Sequence, residues 1–172
     1  MTSSRSIRYA LLAGVSAAAI LGVGIPAYAA AGGSGHTVTE TVHQHGTWTE
    51  PGDTDFCTNE DVTPTITGNE VSHVTYFPGG DEAWGTFTET GKATFLQPSS
   101  GLTFSGRVTV WGNFNINNKN SNNTFTATFS LAAVDADGVT HYETGHQLFH
   151  IGFNAVSDQP VVQFEKMSVT CS

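Results

Sequence analysis

The sequence is poor in most of the features that announce a function. Six lysines and arginines stand against fifteen aspartates and glutamates, a formal net charge of −9. Nucleic acid and anionic lipid are bound through basic stripes, and none exists here, so no nucleic-acid partner is expected. No glycine-rich phosphate loop, nucleophile motif or cysteine–histidine cluster occurs, and neither cofactor nor metal is expected. Past residue 35 almost nothing recurs at helical spacing, which argues against a helical bundle. Cysteine occurs only twice, as Cys57 and the penultimate Cys171. In an exported chain an even pair without CxxC spacing reads as one structural disulfide, with two free thiols as the alternative.

The one long apolar run lies at the start. "MTSSRSIRYA" carries Arg5 and Arg8, "LLAGVSAAAILGVGI" is uncharged, and Pro26 precedes "AYA" at 27–29. Basic start, apolar middle and small-x-small end make residues 1–29 a signal peptide with cleavage after Ala29. The run is short for a span of ~20 residues. A flexible Gly/Ala segment at 30–35 follows it in place of a stop-transfer cluster. The protein is therefore expected to be secreted, with no membrane attachment after removal of the signal. Because the two arginines are not adjacent, the general export route is favoured. The chain from Ala30 to Ser172 has 143 residues, four basic and fifteen acidic, for a net charge of −11. That is one domain, 36–172, long enough to bury a core.

What the chain does have is threonine, aromatics and period-two alternation. Eight strands are expected, at 36–49, 62–67, 70–77, 84–96, 102–116, 123–134, 139–151 and 161–170. "TGNE", "PGGDE", "QPSSG", an asparagine tract, "DADG" and "NAVSDQP" separate them as turns. Short turns force antiparallel neighbours, and eight such strands hide their edges most simply as an up-and-down β-barrel. A two-sheet sandwich is the alternative. Leu102, Phe104, Val108, Val110, Phe114 and Ile116 share one face of their strand, and Phe125, Ala127, Phe129, Leu131 and Ala133 share one face of the next. Gly85, Gly91, Gly106 and Gly112 fall on apolar faces, where they would let strands bend. Seven asparagines between 113 and 123 read as a hairpin tip, since asparagine caps its own turns.

The blocks "TETVHQHGTWTE", "GTFTETGKATF", "FSGRVTVWGNFNINNKN", "TFTATFS" and "DADGVTHYETGH", with a last strand ending in Cys171, run through nearly the whole exported chain. Together they resemble a family of short exported actinobacterial proteins of unassigned function. The resemblance implies a small antiparallel β-barrel like those of lipocalins and allene oxide cyclases, and it implies no catalytic residues. The tail "QLFHIGFNAVSDQPVVQFEKMSVTC" is longer than that family's.

Three constellations carry potential chemistry. In "HYETGHQLFH", His141 and Glu143 face one way while His146, Leu148 and His150 face the other, unless a bulge at Gly145 intervenes. Such a split cannot supply a four-ligand metal site, and the spacing is not that of HExxH proteases. "HQH" at 43–45 with Glu50 echoes half of a cupin motif, but the second half is missing and both histidines share their face with threonines. Last, Glu89 is in phase with Phe87, Ala93 and Phe95, His73 with Val71 and Phe77, and His141 and Glu143 with Val139, Phe149 and Ile151. If those faces line a lumen, buried carboxylates there would titrate high and act as acids or bases. The expected function is non-enzymatic binding of a small apolar ligand or an extracellular partner. The alternatives are a cyclase- or isomerase-like enzyme using Glu89 with His141 or Glu143, and a purely structural extracellular protein.

Overall fold

The computed structural model describes residues 36–49, 51–79, 81–117, 120–154 and 159–172. The expected signal peptide and the 30–35 segment lie outside the described residues. Nine strands follow in order: β1 (Val38–Thr49), β2 (Asp53–Thr54), β3 (Asp61–Val62), β4 (Thr65–Tyr76), β5 (Glu82–Leu96), β6 (Thr103–Asn117), β7 (Asn120–Val134), β8 (Thr140–Asn154) and β9 (Gln159–Cys171). Seven of them form one antiparallel sheet in the order β1-β4-β5-β6-β7-β8-β9, and β2 pairs with β3 in the break after β1. The class is all-β, with no helix among the described residues.

Two expectations about the ladder need correction. The strands expected at 62–67 and 70–77 are one continuous strand, β4, so the sheet has seven long strands rather than eight. "TGNE" does not turn. Gly68 pairs with Gly91, and a Cβ on it would fall 2.4 Å from the Thr90 carbonyl oxygen and 2.8 Å from the Gly91 Cα. The glycine serves a close approach of two backbones, which in sequence looks the same as a turn. The asparagine tract is also mostly strand. β6 runs to Asn117, β7 begins at Asn120, and Asn115 pairs with Asn122. Only residues 118–119 separate the two strands.

Burial alternates along the central strands as the period-two pattern requires. Phe87, Ala93 and Phe95 on β5, Phe104, Val108, Val110 and Phe114 on β6, and Phe125, Ala127, Leu131 and Ala133 on β7 are buried. Ile116, at the end of its strand, is exposed instead. The sheet curls about this face. Ile66 on β4 and Glu143 on β8 line one cavity, although four strand spacings would hold them ~19 Å apart in a flat sheet. Burial falls off toward both edges. The inward-phase positions of β1 are only half-buried, and Met167 on β9 keeps 40% of its surface exposed. The two cysteines are bonded to each other, 114 residues apart, which ties the segment after β1 to the end of β9. Beyond the bridge, Ser172 exchanges backbone hydrogen bonds with Tyr142.

Candidate functional site

Two places gather polar side chains in ways the core alone does not require. The first is interior. Register places Ile66, Ala93, Gly106, Leu131, Glu143 and Cys171 in one row across the sheet. Glu143 thus points inward at the level of the disulfide, and it is buried. Asp55, in the irregular segment after β2, is buried beside it and accepts hydrogen bonds from the backbone N–H of Cys57 (2.7 Å) and Thr58 (3.3 Å). The buried Gln97 amide bridges the two acids. Its Nε2 donates to Asp55 Oδ2 at 2.6 Å and to Glu143 Oε1 at 3.4 Å, while Ser100 donates to its Oε1. Loss of hydration, and secondarily the Asp55 charge, push the Glu143 carboxyl up from 4.5 to about 7.

Asp55, Cys57 and Glu143 bring potential ligand atoms within 4.8 Å of one another. The Cys57 sulfur is bonded to Cys171 and has no thiolate to offer. What remains is a carboxyl pair held by an amide, against an apolar cavity of about 30 Å³ walled by Phe56, Ile66, Phe95 and Phe129. That is room for about one water.

A second row carries Glu70, Glu89, Val110, Ala127 and Gln147, all inward and all buried. Gln147 Nε2 donates to Glu165 Oε1 at 2.7 Å, and burial pushes the Glu70 carboxyl upward. Glu89 and Glu143 therefore stand in different rows, since the β8 partner of Glu89's row is Gln147.

The remaining candidates separate. His73 is exposed on the outer face, its Nδ1 bonded to Thr41 Oγ1 at 2.8 Å, because even-numbered β4 residues point inward. This corrects the expectation that it shares the interior with Val71 and Phe77. His141 keeps the phase of Glu143 but lies at the rim, where Nε2 meets Asp135 Oδ2 at 2.9 Å. That hydrogen bond, more than any charge, holds the Asp135 carboxyl below its usual range. His146 and His150 face outward, the latter bonded to Thr124 at 2.6 Å. The ladder runs through Gly145 without a bulge, where a Cβ would strike the Phe129 ring. His43 and His45 are exposed, and Glu50 lies outside the described residues. Asp55, Gln97, Glu70 and Gln147 escaped the sequence reading. Glu70 was hidden in the supposed turn, and Asp55 sits in a segment with no periodicity to orient it.

The interior acids make stability depend on pH with a definite sign. A carboxyl that titrates higher in the folded state than in the unfolded one binds its proton more tightly when folded. Its contribution is complete below pH 4.5 and is lost as pH rises through about 7. Glu70 acts in the same direction. Glu143→Gln should match the wild type near pH 4 and exceed it above pH 7 by roughly 2 kcal/mol. Urea midpoints of the two proteins across that range measure the difference. Parallel curves would show that Glu143 is solvated.

The second place is on the outer face. Outward residues of β4, β5 and β6 line an open groove of about 440 Å³: His73 and Thr75, Trp84 and Thr86, Asn113 and Asn115, with Gly85 and Phe114 also contributing. Trp84 is 50% exposed and is braced by Phe77, ring centroids 5.0 Å apart. Aromatic rings of this size are normally covered, so a half-bare one in a groove marks a surface suited to contact. The sequence carried the signal in part, since Trp84 falls in phase with Thr86, Thr88 and Thr90 rather than with Phe87 and Phe95. Comparison with known proteins gives no family model, no curated protein and no solved structure that matches this chain.

Proposed function

We propose that this is an exported, non-enzymatic binding protein that takes its ligand on the outer face of the sheet. The observation that carries the reading is Trp84, half-exposed and held by Phe77 at the head of the groove. Covering such a ring yields a large gain, and its being held in advance lowers the ordering cost of binding. The interior supports the reading by contrast. The space beside Glu143 suits one water rather than a small apolar ligand. A cyclase or isomerase would need substrate room next to Glu143 or Glu89 with His141 in reach, and His141 is turned toward Asp135 at the rim.

For the architecture we favour an incompletely closed barrel of the kind the lipocalin-like resemblance implies, over a two-sheet sandwich. One continuous ladder supplies both walls of the cavity, and the disulfide joins the regions of its two edge strands.

Native mass spectrometry of protein purified from its own host tests the binding reading. A co-purifying ligand should stay with Glu143→Gln and be lost more than tenfold from Trp84→Ala. Retention by Trp84→Ala with loss from Glu143→Gln would move the ligand inside and overturn it.

A further inference from the structure

We infer that the ligand of the outer groove is a neutral oligosaccharide, its sugar ring lying on Trp84 and its hydroxyls meeting the surrounding amides and hydroxyls. This rests on the outer-face reading above and gives it a chemical class.

The lining excludes the other classes. Among the described residues no lysine or arginine lines the groove, so a phosphate, sulfate or carboxylate finds no counter-charge there. No aspartate or glutamate is among its described lining residues either, which leaves a cation unpaired. Of the described lining residues only His73 can ionise near neutral pH. A purely aliphatic ligand would strand the amides of Asn113 and Asn115 and the hydroxyl of Thr86 against apolar surface. A sugar ring matches both halves of this surface. Its C–H face is apolar and flat enough for an indole, and its rim carries hydroxyls that donate and accept. Asparagine offers two donors and an acceptor, and threonine offers one of each, so either sense of hydroxyl finds a partner. His73 joins them through Nε2, since its Nδ1 is held by Thr41.

Register extends the argument from one ring to a chain. On the outer face Trp84 stands opposite Asn115, Thr86 opposite Asn113, and Thr88 opposite Trp111. Trp111 is itself 41% exposed. Two partly exposed indoles thus lie at the diagonal ends of a short ladder of threonine and asparagine. A four-residue offset along the strand plus one strand spacing puts the Trp84 and Trp111 backbones roughly 14 Å apart. A single sugar reaches one indole, while a linear oligosaccharide spans the ladder to the other.

The test is an NMR titration of the full exported chain, reading the indole N–H signals of Trp84 and Trp111. Probes are glucose, cellobiose, cellohexaose, hexa-N-acetylchitohexaose, a sulfated dextran fragment, decanoate and a neutral decapeptide. Either neutral hexasaccharide should shift both indoles and bind at least tenfold more tightly than its mono- or disaccharide. The sulfated fragment should be weaker. Trp84→Ala should weaken the hexasaccharide at least tenfold with an unchanged melting curve. Trp111→Ala should abolish the advantage of length and leave disaccharide binding intact. Decanoate or the decapeptide shifting the Trp84 indole while every saccharide is silent would overturn the glycan assignment and leave outer-face binding standing. Silence from all probes would overturn the glycan assignment. If native mass spectrometry then also finds nothing bound at Trp84, the outer-face reading falls with it.

Discussion

Cys57→Ala/Cys171→Ala should lower the melting temperature by on the order of 10–20 °C, the largest effect expected of any change in this chain. The bridge closes a loop whose ends are 114 residues apart. In the chain-entropy model, removing that constraint from the unfolded chain costs about 4–5 kcal/mol. For a domain stable by ~5–15 kcal/mol this is about a quarter of the total or more. Location adds to the effect. Among the described residues β9 is an edge strand paired with β8. The segment after β1 is otherwise tied to the sheet by Gln97 donating to Asp55, Ser99 donating to Glu60 and Phe56 stacked on Phe129. With the bridge removed, both edges of the sheet lose the same tie. Amide hydrogen exchange should therefore speed up first in β9 and around Asp55, while β5–β7 retain their protection. Reduced wild type should behave as the double alanine variant does, since the protein has no other cysteine. A drop below 5 °C would mean that the unfolded chain is held compact without the bridge.

The contrast between these two regions also explains what could be read in advance. β5, β6 and β7 alternate apolar and polar residues over long stretches, so their faces followed from period two and their antiparallel pairing from the short turns between them. The disulfide followed from counting, because two cysteines in a chain expected to be exported leave one pairing. β4 was misread because glycine and asparagine serve both turns and close strand contacts, and only the partner, Gly91, distinguishes the two. His73 went wrong for the same reason: splitting β4 at Gly68 lost the parity that sends it outward. Interior chemistry was half legible. Glu89 and Glu143 stood in phase with phenylalanines, but their placement in separate rows depends on register across four strands. The groove was the least legible part, because it needs three strands side by side.

Gly106→Ala should destabilise the fold by about 3 kcal/mol although it adds a single methyl group. Gly106 pairs with Ala93 on one side and Leu131 on the other, in the row that reaches Glu143 and the disulfide. A Cβ there would fall 2.0 Å from the Ser130 carbonyl oxygen and 2.8 Å from the Leu131 Cα. Both obstacles are backbone, so no side chain can rotate away. β6 and β7 must separate or flatten, and flattening spoils the curl that packs Ile66 and Leu131 around one cavity. Gly46→Ala makes the opposite prediction on the same sheet. Its Cβ would meet only the Trp48 ring at 3.6 Å, an ordinary contact on edge strand β1. Restricting the unfolded chain there should stabilise by up to ~1 kcal/mol. Urea unfolding of the two variants checks the pair, and hydrogen exchange at the Leu131 amide locates the damage. If Gly106→Ala costs less than Gly46→Ala gains, the close approach of β6 and β7 is not what bends the sheet.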